Sequence, residues 1–193
     1  MPVTAWSAPA MPMNSGALTP ALTAVLQDIT PVETLILPGQ LNIGTRVRLF
    51  ANGEYTATSS TPTVTLGFYM NQAGTAIGTT PANLMVTSAN AAGASATAWP
   101  WRLQWYGRVL TVTQADASAS ASMYGQGDAW WPTSLTAWTN TFYPATAAAR
   151  TISQTATGLS TATAQKVMVG LTLSTTTGVT SFTCQEFTCE LLG

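Results

Sequence analysis

Gln165-Lys166-Val167-Met168-Val169-Gly170-Leu171-Thr172-Leu173-Ser174 decides the fold. Val167, Val169, Leu171 and Leu173 recur at every second position, the period of a strand with one buried face. A turn at 175–178 follows, and residues 181–192 form a second strand. Its apolar residues fall on both faces, as expected for a central strand or one covered by a partner. Working back from this pair, the same signature repeats. Residues 63–70 set Val64, Leu66, Phe68 and Met70 against Thr63, Thr65, Gly67 and Tyr69. Residues 45–51 place Val47, Leu49 and Ala51 on one face and Arg46 and Arg48 on the other, and Asn52-Gly53 reads as a hairpin turn. Shorter strands are expected at 32–37, 83–87, 118–124 and 150–155, with an Ala/Ser/Gly loop at 88–97. Residues 98–106 and 108–113 flank Gly107 as a hairpin or as one long bent strand. Residues 125–144 read as irregular.

About eight to ten strands and no long helix predict an all-β protein, an antiparallel β-sandwich of jelly-roll type. Residues 32–193 form the single sandwich domain, and residues 1–31 an extended N-terminal arm. Pro2, Pro9, Pro12, Pro20 and Pro31 punctuate the arm and oppose regular structure. One helical turn is expected over 19–28, where Leu22, Val25 and Leu26 have helical spacing. The arm is either a leader without fixed structure or a segment that orders against a neighbouring subunit. Trp6, Met11, Met13 and Leu22 favour the second reading, because solvated tails rarely carry large apolar groups.

Composition narrows the function. Charged residues make up 7% of the 193 residues, against roughly 25% in an average soluble domain. Thr, Ala and Ser together fill about two-fifths of the chain. A surface of this kind costs little to desolvate and loses little side-chain entropy on packing, which suits permanent contacts. Arg46, Arg48, Arg102, Arg108, Arg150 and Lys166 are scattered along the sequence and the net charge is −1, so direct nucleic-acid binding is not expected. No apolar run is long enough to span a membrane. The N-terminus has neither a basic nor an apolar signal region, so folding in a cytoplasm is expected. Cys184 and Cys189 lie five residues apart. Strict alternation puts them on opposite faces, about 16 Å apart, which is too far for a disulfide.

The sequence offers little chemistry. Histidine is absent, which removes the usual general base near neutral pH and the commonest metal ligand. Asp28, Glu33, Glu54, Asp116, Asp128, Glu186 and Glu190 are the acids. Glu186 and Glu190 share a face about 13 Å apart, beyond the separation of a glycosidase pair. No nucleophile or phosphate-binding motif occurs. No catalytic residue, cofactor or metal site is expected.

The aromatic residues carry more. In 99–106, alternation sets Trp99, Trp101, Leu103 and Trp105 on one face. That face is a core face, a subunit interface or a sugar-stacking platform, since aromatic residues concentrate at interface centres. Trp130, Trp131 and Trp138 fall in the stretch read as irregular, where an interface or binding role gains weight.

Leu37-Pro38-Gly39-Gln40-Leu41-Asn42-Ile43-Gly44-Thr45-Arg46-Val47-Arg48-Leu49-Phe50-Ala51-Asn52-Gly53, followed by Ser60-Thr61-Pro62-Thr63-Val64-Thr65-Leu66-Gly67, resembles virion proteins of tailed bacteriophages, especially phages of actinobacteria. The closing strands at 166–174 and 182–192 fit the way such chains end. The resemblance implies a jelly-roll head decoration (cement) protein on the outer surface of the capsid, or a minor tail protein. Its partners would be the major capsid protein and copies of itself, in a homo-oligomer that is often a trimer. A fibre-associated module with a host-glycan surface is the alternative. The family brings no catalytic residue.

Overall fold

The structure is a computed structural model that describes residues 25–31, 33–77, 81–87, 89–112, 120–134, 137–143, 159–160, 163–175 and 177–193. Among the described residues it is all-β. The strands are β1 (Gln27–Asp28), β2 (Thr34–Ile36), β3 (Arg46–Ala57), β4 (Thr63–Gln72), β5 (Ala82–Val86), β6 (Asn90–Ala91), β7 (Trp99–Val112), β8 (Ser120–Ser134), β9 (Ala137–Tyr143), β10 (Leu159–Ser160), β11 (Gln165–Leu173) and β12 (Val179–Leu192). They form two antiparallel sheets packed as a sandwich. Sheet I has the order β1-β11-β4-β5, with β2 also on β11 and β6 on β4. Sheet II has the order β10-β8-β7-β3-β12, with β9 also on β8.

A ribbon of two strand pairs ties the sheets together. β3 pairs with β12 in sheet II, and β4 pairs with β11 in sheet I. The crossing between them stays hydrogen-bonded: Thr58 N donates to Gly178 O at 2.7 Å and Ser174 N to Thr63 O at 2.9 Å. Gly178 has φ +107°, and a Cβ there would lie 2.7 Å from Ser60 Cβ, so both backbone conformation and space require glycine. The jelly-roll winding expected from the sequence needs further wrapped pairs, whose connections at 113–119 and 144–158 lie outside the described residues.

The periodicity of β3, β4 and β11 is as expected. Val47, Leu49, Ala51, Val64, Leu66, Phe68, Val167, Val169, Leu171 and Leu173 are all buried between the sheets. A second, smaller cluster covers the outer side of sheet I, where Tyr69, Ile77 and Met168 pack with Leu26 and Val86. Residues ahead of position 32 therefore already belong to the sandwich: Gln27 and Asp28 pair with Leu171 and Gly170, and Asp28 is ion-paired with Lys166 at 2.7 Å. The helical turn expected over 19–28 is a strand at its described end. The strand expected at 150–155 lies outside the described residues.

Several expectations are corrected, the first of them for a steric cause. Asn52-Gly53 is not a turn, because β3 runs straight through it. A Cβ on Gly53 would come within 1.9 Å of Thr183 O and 2.8 Å of the Trp101 ring. The glycine faces a bulge between Cys184 and Glu186 and lets that backbone come close. The bulge also shifts the phase of β12. Phe182 and Cys184 point inward before it, and Phe187 and Cys189 after it. Cys184 and Cys189 are therefore both buried thiols outside any disulfide and on the same side, not on opposite faces. The apolar residues that suggested two buried faces reflect this slip, since β12 is an edge strand of its sheet. Of the two readings open at Gly107, the structure takes the second: the residue lies inside one continuous strand, β7. Residues 125–144 are largely regular, continuing β8 and forming β9.

Candidate functional site

The inner side of sheet II is an aromatic box. The Tyr55 and Trp131 rings stack at 4.4 Å and 9°. Phe182 stacks on Trp101 at 5.5 Å and on Trp131 at 6.0 Å. Trp99, half-buried, meets Tyr55 edge-on at 6.2 Å. The Tyr55 hydroxyl and the indole nitrogens of Trp101 and Trp131 each have a backbone partner, whereas the buried Nε1 of Trp105, further along the sheet, has none among the described residues. Tyr55 Oη accepts from Gly93 N and donates to Pro132 O, both at 3.0 Å. Trp101 Nε1 donates to Thr183 O and Trp131 Nε1 to Ala91 O. Burial pushes the Tyr55 hydroxyl up, opposed by its bond with Gly93. Trp105 lies further along, in a slot floored by Gly107, Gly125 and Gly127, where any Cβ would strike Trp105, Met85 or the Gln104 carbonyl. Gly125 and Gly127 of β8, in the stretch read from the sequence as irregular, make room for an indole. Pro132 sits at a bulge opposite β9, where a missing donor is tolerated.

Of the expected interface residues, Trp101, Trp105 and Trp131 are thus buried in the protein's own core. Trp99 packs against that core. Trp130 is 36% exposed on the opposite side of the same strand. Trp138 pairs with Pro132 through its backbone on β9, and its side chain lies outside the described residues. Trp6, Met11, Met13 and Leu22 lie outside them as well.

The outer side of sheet II holds the polar chemistry. Cross-strand register builds it in rows. One row runs Glu190–Arg48–Tyr106–Gln126, the next Thr188–Phe50–Gln104–Asp128, and the third Glu186–Asn52–Arg102–Trp130. Arg48 bridges Glu190 at 3.4 Å and lies over the Tyr106 ring at 5.5 Å. Arg102 reaches Asp128 at 3.9 Å and stacks on Trp130 at 4.4 Å. Asn52 Nδ2 donates to Glu186 Oε2 at 2.6 Å, and Gln104 Nε2 donates to Asp128. Arg46 and Arg108 also face outward, opposite each other.

Four of the six cations, scattered in the sequence, thus converge on one face with Glu54, Asp128, Glu186 and Glu190. The sequence reading missed this face, although the signal was present. The alternation that buries Trp101, Leu103 and Trp105 leaves Arg102, Gln104 and Tyr106 on the other side.

Among the described residues, no three His, Cys, Asp or Glu side chains gather in a way that could hold a metal, and no helix is long and apolar enough to cross a membrane. Comparison with known proteins gives no match: no family model fits the chain, and neither a curated protein nor a solved structure is similar to it.

Proposed function

We propose that this chain is a non-enzymatic structural protein of a tailed-phage virion: a head decoration protein on the outer surface of the capsid, holding major capsid subunits through the outer face of sheet II. One observation carries the reading: the interlocked cations, rings and carboxylates of that face, Arg48 with Tyr106 and Glu190, and Arg102 with Trp130 and Asp128. Arginine and aromatic residues are enriched at interface centres. Side chains already held in place lose less freedom on docking. Acids balance the cations of this face, which speaks for a protein partner over a phosphate backbone. The task is then mechanical, with buried interface offsetting the outward pressure of packaged DNA. A jelly-roll winding of the sandwich and an arm of residues 1–24 lying along the shell belong to the same reading.

The test is co-sedimentation with shells stripped of the protein. Saturable binding to shells and weak binding to free capsid subunits are expected. Paired Arg48→Ala and Trp130→Ala substitutions should weaken binding by about tenfold. Removing residues 1–24 should abolish attachment; the truncation stops there because Leu26 and Asp28 belong to the sandwich. No binding to shells, or immunogold label confined to the tail, overturns the reading.

A tail or fibre-associated module that binds host glycans is the second reading. The exposed Tyr124 ring favours it. The Trp130 and Tyr106 rings favour it less, because Arg102 and Arg48 already lie over them. A glycan array with no hit for the wild-type chain rejects it.

A further inference from the structure

Three ion pairs and one amide contact account for most of the described charges: Arg48 with Glu190, Arg102 with Asp128, Lys166 with Asp28, and Asn52 with Glu186. Arg46, Arg108, Glu33 and Glu54 remain outside these pairings. Arg46 and Arg108 face each other directly across β3 and β7, and both are exposed. Like charges opposite each other weaken a sheet, and a chain with six cations places two of them here. Tyr124 continues the row beside Arg108, and Leu192 lies beside Arg46. Ile43 and Leu110 adjoin the bond from Gly44 N to Val109 O, and all four of these side chains are exposed. The two arginines therefore lie in an apolar rim.

The complement lies on another element. Glu33 is exposed just ahead of β2, on the edge of sheet I formed by β1 and β2. Val25, Leu35 and Leu37 are exposed along the same edge. It carries one acid among apolar side chains, where the other patch carries two cations among apolar side chains.

We propose that the Arg46–Arg108 row docks a second copy of this chain, receiving Glu33 and its apolar neighbours on the β1–β2 edge. The two patches differ, so the contact is heterologous and either closes into a ring or continues as a chain of subunits. The proposal rests on the reading of the protein as a module for standing contacts only in its choice of a protein as partner.

Sedimentation of the full chain across a concentration series, at about 50 mM and about 500 mM salt, tests it. Wild-type chains should assemble at low salt and dissociate partly at high salt. Arg108→Glu and Glu33→Arg should each weaken assembly by about tenfold, and the two together in one chain should restore it. Arg46→Gln is a milder second variant on the same row, with circular dichroism confirming the β-fold of each. A wild-type chain that stays monomeric throughout, single variants that assemble normally, or a double variant without rescue would overturn the proposal. Shell attachment that persists in such a case leaves the decoration reading standing. Normal self-assembly without shell attachment does the reverse.

Discussion

Trp130 and Trp131 are neighbours in the chain and live in different chemistries. Trp131 is buried against Tyr55 and Phe182, with its Nε1 on a backbone carbonyl. Trp130 lies outside, under the Arg102 guanidinium. The two sides of sheet II use similar rings for opposite ends. The inner side stacks ring on ring and gives Tyr55, Trp101 and Trp131 backbone partners for their polar ring atoms. The outer side lays cations over rings and leaves them within reach of another molecule. Strand alternation alone sorts one side from the other, so anything that disturbs the register should damage the inner side first.

The severest way to break the contrast is Gly53→Ala. Its new Cβ would meet the Thr183 backbone oxygen and the Trp101 ring, and neither can give way without undoing the β12 bulge. A loss of about 3 kcal/mol or more is expected in urea unfolding, with failure to fold as the extreme. Near wild-type stability would mean that the close approach at the bulge is not essential. Next comes the tryptophan pair itself. Trp131→Ala should cost about 3–5 kcal/mol by leaving a cavity in the box. Trp130→Ala should cost less than about 1 kcal/mol, since it removes only an exposed cation–ring contact. Equal losses would erase the distinction between the two sides. Tyr55→Phe probes the same box more gently. It strips partners from Gly93 N and Pro132 O, for a loss of about 1–3 kcal/mol.

The alternation of β3, β4 and β11 was legible because each strand keeps its phase from end to end. Where the phase slips, the reading failed for a physical reason. In β12 a bulge at Gln185 turned a one-faced strand into an apparently two-faced one, and parted two cysteines that in fact share a side. Glycine was misread twice in the same way. Gly53, Gly125 and Gly127 signal turns by composition, yet each gives space to an indole or a crossing backbone. That role depends on a residue distant in sequence, which no local window contains. The outer face was partly legible. The parity of Arg102, Gln104 and Tyr106 was available, but their meeting with Asp128, Trp130 and Glu190 needs the cross-strand register.

The buried thiols sharpen the contrast through pH. Burial pushes both Cys184 and Cys189 up to about 12 from a reference of 9.0, with nearby carboxylates adding to the shift. For Cys184, a hydrogen bond with the Glu186 backbone opposes it. Tyr69, on the outer side of sheet I, rises by burial to about 12 from 10.0. Between pH 9 and 12 the unfolded chain gives up these protons while the folded chain keeps them. The folded state then binds more protons, so stability must fall as pH rises through that window and hold steady below it. Thermal unfolding at stepped alkaline pH measures the slope, and Cys189→Ala should flatten it. A thiol reagent at pH 8 should label the native chain far more slowly than the chain in denaturant, because only the thiolate reacts and neither thiol is exposed.

The smallest expected effect tests what the outer face is for. Arg102→Ala removes the cover from Trp130 and the 3.9 Å contact with Asp128. A partly exposed ion pair at this long a separation contributes about 0.2–1 kcal/mol, and the cation–ring contact about 0.5–1 kcal/mol. Against these gains stands the buried Arg102 Nε, which has no hydrogen-bond partner among the described residues and whose lost hydration offsets part of them. The net loss should therefore stay under about 1 kcal/mol, while Trp130 fluorescence shifts as its ring face opens to water. A fold that barely notices the loss of its best-placed surface arginine does not need that residue for its own stability. That outcome leaves the arrangement of Arg102 over Trp130 available to the proposed contact face. A loss as large as that of Trp131→Ala would assign Arg102 to the sandwich instead and take away the main support for the contact face.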